Sequence, residues 1–468
     1  KHIQICTRCG KCKQVCPMYY PQKGLLNHPR NKNISMGVIL DALLYTQTVN
    51  DSRKPDEDLL NQLKELMDFC TACGKCNSIC PVKIDSADVT INVRSYLESE
   101  TSFGFDFKSR MLNYLGQEPE RIQTMAKIAT LGQNIQNKTI RFLPSFWRRR
   151  AENPMFQAPG PKLEYGQLHE LLNTSSGNVF LPDEEKWDGR STVLYFPGCG
   201  SALFYPSIGL SSMHELLHAG FAVVVAQDHQ CCGYPLLSAG CSETFAQNKQ
   251  RNTQQLKELL DQAQDRGLEV QALLTSCGTC RAALENYGLH KAVSPDLSTY
   301  DVFQFLAPFL QKDQRNSIRD DENIVFHSSC HHAFHDVDPA QSDLIYTHEL
   351  QSILKKDIDI SKYCCAESGL GALTNPKVYN RLRKRKQSSL KRTISQSTKS
   401  TKILVSCPSC KIGISRSLNA MKSQGSSLHT MEYISRKYYG KNFKNLVINK
   451  ITSRQKSLNN VLDSMSAV

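Results

Sequence analysis

Eight cysteines near the start of the chain stand in two matching runs. Residues 6 to 17 read CTRCGKCKQVCP and residues 70 to 81 read CTACGKCNSICP. Each is C-x2-C-x2-C-x3-C-P, the spacing by which thiolates hold four-iron, four-sulfur clusters. Three closely spaced thiolates wrap one corner of a cluster, and the fourth is directed to the other cluster. That crossing assigns Cys6, Cys9, Cys12 and Cys80 to one cluster and Cys70, Cys73, Cys76 and Cys16 to the second. Gly10 and Gly74 let the backbone approach the inorganic sulfurs. Pro17 and Pro81 bar further helix and turn the chain. Structural zinc is the alternative, but it favours two C-x-x-C pairs without a trailing proline.

Ten more cysteines follow a different pattern, and here the chain repeats itself. STVLYFPGCG, HQCCGYPLLSAG and ALLTSCGTC carry Cys199, Cys231, Cys232, Cys277 and Cys280. ENIVFHSSCHH, KYCCAESGLGAL and ILVSCPSC carry Cys330, Cys364, Cys365, Cys407 and Cys410. Matching landmarks are offset by 131, 133 and 130 residues, which marks a tandem duplication.

The elements that must position these groups can be read from apolar spacing. Residues 35–47 and 56–69, between the first two runs, have helical periodicity. Helical signals continue to about residue 135. In each later unit a β-branched run precedes the single cysteine (193–196 and 324–327), and another precedes C-x-x-C (272–275 and 403–405). Helical stretches such as 241–264 lie between. Strands alternating with helices argue α/β units with short parallel sheets. Ligands at strand C-termini meet in the crevice such sheets provide, so five thiolates per unit are expected to converge. The expected organisation is a helical dicluster ferredoxin-type domain over 1–135, a linker over 136–190, two α/β units over 191–318 and 319–440, and a tail over 441–468.

C-x31-CCG-x43-C-x2-C, the first unit's pattern, resembles the cysteine-rich CCG domain family. That family includes heterodisulfide reductase subunits, the C subunit of anaerobic glycerol-3-phosphate dehydrogenase and the iron–sulfur subunit of glycolate oxidase. YFPGCGS, CCGYP and SCPSC look closest to the C-terminal iron–sulfur region of fused FAD-linked oxidases of the D-lactate dehydrogenase type. The spacing of the first two runs resembles the helical dicluster domain of succinate dehydrogenase-type and glycolate oxidase-type subunits. The resemblance implies one iron–sulfur cluster per CCG unit, held by Cys199, Cys231, Cys232, Cys277 and Cys280 in the first. Cys330, Cys364, Cys365, Cys407 and Cys410 would hold the second. Zinc is the competing occupant of one unit, since four thiolates also close a tetrahedral site. Thiol–disulfide chemistry within a cysteine pair is a further alternative. The first unit has Gly233 after its pair; the second has Ala366, a departure that bears on how closely backbone can approach a cluster there.

The resemblance further implies an electron-transfer part of an oxidoreductase. Its FAD-binding partner, on another chain or in a fused domain, would oxidise a 2-hydroxy acid such as D-lactate or glycolate. A quinone or another redox protein would accept the electrons. The competing function is a heterodisulfide reductase-type enzyme acting at the CCG site. No G-x-G-x-x-G after a strand, no P-loop and no G-x-S-x-G occurs, so this chain offers no visible flavin or nicotinamide site. Clusters move single electrons, whereas hydride chemistry needs one of those cofactors.

Composition sets the remaining bounds. The 468 residues are 40% hydrophobic and 22% charged, which suits two or three domains with cores and excludes a disordered chain. Nineteen cysteines in tight groups point to ligation, a setting that needs reduced thiols, so the cytoplasm is the expected compartment. No signal peptide precedes the first run and no long apolar run exists. A chain that begins at Lys1 is expected to be processed or part of something longer. The net charge of +13 suits an acidic partner or an anionic membrane surface, so peripheral association with the inner face of the membrane is expected. Nucleic acid is not expected as a partner. The basic runs Arg148-Arg149-Arg150 and RLRKRK (381–386) read as solvated faces.

Some residues resist assignment. Cys241 fits neither pattern and reads as a small buried thiol. His327, His331, His332 and His335 crowd Cys330 and could tune a cluster, move a proton or bind metal, or merely pack. Trp147 and Trp187 read as core or interface residues. Arg8, Lys11 and Lys13 surround the first run, whereas the second has Lys75 alone. Cations favour a reduced, more negative cluster, so the Cys6 set is expected to have the higher potential.

Overall fold

The computed structural model describes residues 5–19, 24, 27–49, 57–99, 107–315, 321–331, 339–367, 371–395 and 399–456. In the N-terminal region, the two cysteine runs are turned by glycines in the left-handed conformation. Gly10 has φ 75° and Gly74 has φ 67°, and each opens a short helical turn, Lys11–Lys13 and Lys75–Ser78. Helices Pro29–Val49, Glu57–Asp68 and Ser86–Ser99 pack around Met36, Leu60, Leu63, Met67 and Val89. Two more helices, Phe107–Gln117 and Pro119–Thr139, carry the chain onward.

Ten strands follow. β1 is Val179–Phe180, β2 Ser191–Phe196, β3 Ala222–Val225, β4 Glu269–Thr275 and β5 Thr299–Asp301. β6 is Asn323–His327, β7 Ile358–Ser361, β8 Thr401–Val405, β9 Ser426–His429 and β10 Gln455–Lys456. One sheet has the order β10-β1-β3-β2-β4-β5 and the other β7-β6-β8-β9. The second sheet is parallel throughout. The first is mixed, because β1 runs antiparallel to both β3 and β10.

The stretch expected as a linker is therefore part of the fold. The helix Leu168–Leu172 buries Leu168 and Leu172, and β1 extends the first sheet. The described part of the tail, 441–456, is structured as well: Phe443–Thr452 is a helix that buries Phe443, Val447 and Ile451, and β10 pairs with β1. A Pro/Gly/Ser-rich composition concealed the first of these, and a two-residue strand carries no period. The helices between strands are buried along one stripe, as in Ser242–Asp265 and Pro376–Ser395. The two units share core: Leu194, Leu273, Val325, Ile403 and Val405 belong to one apolar cluster.

Candidate metal centre

Strand β2 and the turn after it deliver Cys199, and β4 delivers Cys277 and Cys280 at the start of helix Gly278–Glu285. β6 and β8 place Cys330, Cys407 and Cys410 in the same way in the second unit. The paired cysteines sit at sharp turns. Gly233 has φ 70°, and Ala366 takes the same left-handed turn at φ 63°. A side chain at Gly233 would meet Asn248 Nδ2 at 2.7 Å. In the second unit's helix the corresponding position is Leu382, and Ala366 packs in one apolar cluster with Leu382, Val378 and Tyr379. The Gly-to-Ala departure is thus accommodated by an amide-to-aliphatic change beside it.

The ten thiols do not form two isolated groups. Cys199 neighbours Cys231, Cys231 neighbours Cys232, and Cys232 neighbours Cys280. Cys280 meets Cys277, whose sulfur lies 3.5 Å from that of Cys407 in the other unit. From Cys407 the series runs through Cys410, Cys365 and Cys364 to Cys330. Cys330 in turn lies against Cys73 of the N-terminal region. Hydrogen bonds to adjacent thiols, and after them burial and neighbouring negative charge, push Cys199, Cys280 and Cys410 upward, while hydrogen bonds from adjacent thiols draw Cys231, Cys365 and Cys407 down. So many sulfurs cannot all ionise together without a cation among them, which is the donor set a metal requires.

Cys16 joins Cys70, Cys73 and Cys76 around one cavity, although it belongs to the other run. Burial raises Cys16 to about 12, with Lys32 acting against that rise. Gly74 lines the same cavity, and a Cβ added there would meet nothing within 4 Å. Four thiols and a left-handed glycine facing open space fit an inorganic cluster. Cys6, Cys9 and Cys12 neighbour one another, with His28 Nδ1 3.9 Å from the Cys12 sulfur. Cys80 accepts a hydrogen bond from the Ile84 amide at 3.3 Å.

The joint between regions is held by named contacts. Tyr234 donates to the Ala72 carbonyl at 2.6 Å. Arg94 donates to the carbonyls of Cys70, Met67 and Ser238, tying the second cysteine run to helix Tyr234–Ala239. A cavity at this joint is lined by Cys70, Cys73, Cys330, Cys364, Cys407 and His331, among others. Lys75 is half-buried beside it. Burial works to lower its pKa, but Cys330, Cys73 and Asp343 outweigh that and raise it.

Comparison with known proteins agrees with this geometry. Residues 2–84 match the 4Fe-4S dicluster domain, and residues 193–285 and 324–415 each match the cysteine-rich domain. The chain carries one dicluster domain and two cysteine-rich domains. It is 20% identical to the glycolate oxidase iron-sulfur subunit of Escherichia coli, over 83% of this chain and 85% of that one. A probable glycolate oxidase iron-sulfur subunit of Bacillus subtilis is 21% identical, covering 88% and 89%. The D subunit of a dihydromethanophenazine:CoB–CoM heterodisulfide reductase of Methanosarcina acetivorans is 20% identical, covering 70% and 68%. The chain is accordingly an iron–sulfur electron-transfer protein related to these oxidoreductase subunits. Among the described residues, no helix is long and apolar enough to cross a membrane.

The second cysteine-rich domain holds groups that the sequence did not disclose. RLRKRK is a solvated face only in part: Arg381 and Lys384 are exposed, but Arg383 is 3% exposed and Lys386 is fully buried. Lys386 Nζ lies 2.9 Å from His327 Nδ1, 2.8 Å from Ser361 Oγ and 2.9 Å from the Lys362 carbonyl. With the Ser361 carbonyl at 3.2 Å there are four acceptors around Nζ, enough for all three protons of an ammonium. Burial draws the Lys386 pKa down to about 7, and the nearby Cys365 and Cys410 act against that. His327 presents a ring nitrogen that, with the sulfurs of Cys365 and Cys410, falls within a 4.8 Å group. Nδ1 also lies 3.3 Å from the Ser361 carbonyl, so it accepts when Lys386 is an ammonium, leaving the proton on the other nitrogen, and can donate to that carbonyl when Lys386 is neutral. Phe196 holds the position of His327 in the first domain, and Asn252 that of Lys386.

The remaining expectations fall out simply. Cys241 is buried, with its thiol 3.9 Å from the Ser109 carbonyl. His331 stacks edge-on with Tyr234 at 4.8 Å. His332 and His335 lie outside the described residues. In the first domain His229, not flagged by its sequence context, approaches the Cys199 sulfur at 3.4 Å. Arg8, Lys11 and Lys13 are exposed, whereas Lys32 is buried near Cys16 and Lys75 half-buried near Cys73. Burial strengthens a charge's effect, so the expected order of potentials loses its support from charge counting.

Proposed function

We propose that this chain relays electrons from a flavoprotein 2-hydroxy-acid dehydrogenase, of the D-lactate or glycolate type, to a quinone or another redox protein. Cys6, Cys9, Cys12 and Cys80 would hold one four-iron cluster, and Cys70, Cys73, Cys76 and Cys16 the other. The two five-cysteine sets would hold further iron–sulfur clusters, with zinc the rival in one of them. When bound, such clusters supply one-electron transfer.

The observation that carries the reading is the contact of Cys73 with Cys330, which brings the dicluster domain against the second cysteine-rich domain. Tyr234 and Arg94 fix that joint through backbone carbonyls. Lys75 places a cation between the thiols of both regions and offsets negative charge there. The hydroxy-acid donor is supported by kinship with glycolate oxidase iron-sulfur subunits.

The test is anaerobic. Purified chain is mixed with FAD-linked D-lactate or glycolate dehydrogenase and its hydroxy acid, and the visible iron–sulfur absorption is followed. Bleaching, then recovery on adding a short-chain quinone, is expected. Failure to bleach with either dehydrogenase would remove the proposed donor.

A second reading has one observation in its favour. The cavity at the joint is bordered by all five cysteines of the second domain and by Thr279 of the first, so a small disulfide could reach them. Reduction of small disulfides by the chain with reduced viologen, lost in Cys330→Ser, would favour that heterodisulfide reductase-type activity.

A further inference from the structure

Between Arg121 and Ala151 the sequence contains no aspartate or glutamate. It does contain Arg121, Lys127, Lys138, Arg141 and the run Arg148-Arg149-Arg150. Most of this stretch is the helix Pro119–Thr139, which buries Ala126, Thr130 and Gln133. At 100° per residue, Ile128, Leu131 and Ile135 fall on nearly the opposite side. They are 57%, 57% and 54% exposed. The helix thus has a second apolar stripe that folding does not use. Immediately beyond it Phe142 is 88% exposed, and the short helix Ser145–Arg150 exposes Phe146 and Trp147. Lys138 and Arg150 are exposed as well, whereas Arg121 and Lys127 pair with Glu118 and Glu170, and Glu120 opens the helix.

We infer that this face docks on an anionic lipid surface. An apolar stripe extended by exposed aromatics and accompanied by cations is the composition of a segment lying in a bilayer interface. Phenylalanine and tryptophan suit the boundary between headgroups and acyl chains, and lysine and arginine are drawn to anionic headgroups. A second copy of the chain is a poorer occupant, because a two-fold interface would set the exposed Lys138 and Arg150 of one copy against those of the other. Nucleic acid would satisfy the cations but leave the aliphatic stripe unexplained. The docking does not depend on the proposed donor or acceptor, and its readouts do not require electron transfer.

The full chain, purified anaerobically, is floated with vesicles of phosphatidylcholine alone or mixed with phosphatidylglycerol. In a Trp187→Phe background, quenching of Trp147 by brominated lipid reports its depth. Binding to the anionic vesicles only, with Trp147 quenched, is the expected result. Replacing Arg148, Arg149 and Arg150 by Gln should weaken that binding on the order of 100-fold at low salt. Ile128→Ser with Leu131→Ser, both on an exposed face, should weaken binding while leaving the circular dichroism unchanged. Failure to float with anionic vesicles, or variants that bind like the parent, would overturn the inference. So would a dimer that the Ile128/Leu131 double variant dissociates, or exposure of the stripe only after residues 457–468 are removed.

Discussion

The two cysteine-rich domains keep the same five thiols and the same left-handed turn, yet surround them with different charge. In the first, Asn248 and Asn252 donate to the Cys231 carbonyl, so neutral amides brace the cysteine pair. In the second, the aligned positions are Leu382 and Lys386, and Lys386 brings an ammonium to His327 instead. The caps that follow the fourth strand of each repeat differ too. Asp301 caps helix Val302–Gln311, and His429 caps helix Thr430–Tyr439. Duplication has therefore preserved the arrangement of the thiols while the electrostatics diverged. Two sites of one donor set are expected to behave differently.

The largest expected effects come from those caps, and they have opposite signs. Burial raises Asp301 to about 7. Its stability contribution is complete below the unfolded carboxylate pKa and is lost as pH rises through about 7. Asp301→Asn, which can still cap, should therefore stabilise the chain by about 3 kcal/mol near pH 8 and by little near pH 4, read from denaturant midpoints. Burial lowers His429 to about 4. Its contribution is present above the unfolded histidine pKa and is lost as pH falls towards 4. His429→Asn should gain about 2 kcal/mol near pH 5 and nothing near pH 8. Parallel pH profiles for the two variants would break the contrast.

Next in size is the ammonium. Lys386→Met removes a cation beside Cys364, Cys365 and Cys410. It should lower the midpoint potential of the second domain's centre by on the order of 100 mV, the first domain's remaining in place. His327→Phe, which copies the first domain, should move the same signal in the same direction by less. Redox titration followed by EPR separates the two centres, and equal movement of both would refute the assignment.

The turns carry effects no larger than these. Gly233→Ala meets Asn248 and Phe245 and should cost about 2 kcal/mol, through the left-handed backbone and a displaced amide. Ala366→Gly should change stability by less than about 1 kcal/mol, since its methyl is already housed. Equal and large losses at both positions would mean that the Asn248/Leu382 exchange is not what distinguishes the turns.

Much of the grouping of the thiols could be read from the sequence because cysteine spacing is local. The two runs, the duplicated landmarks and strands such as β2 and β6 all lie within short windows. The contacts that join them do not. Cys277 meets Cys407 across the domain boundary, and β1 pairs with β10 from the far end of the chain. No local pattern reports such pairings. RLRKRK misled for another reason: charge alone suggests solvent. Yet Tyr379, Leu382, Lys386 and Leu390 repeat the spacing of Phe245, Asn248, Asn252 and Leu256, and that alignment places Lys386 on the inner side of its helix. The exposed stripe on Pro119–Thr139 was legible in principle, as apolar residues on two sides of one helix.

Iron, sulfide and zinc should be measured per chain on protein purified without oxygen after complete cluster assembly. About eight irons with matching sulfide are expected from the dicluster domain, with further iron from the cysteine-rich domains and no stoichiometric zinc beyond one site. Colourless protein with little iron, its cysteines filled by zinc or paired as disulfides, would contradict an electron-conducting role for this chain.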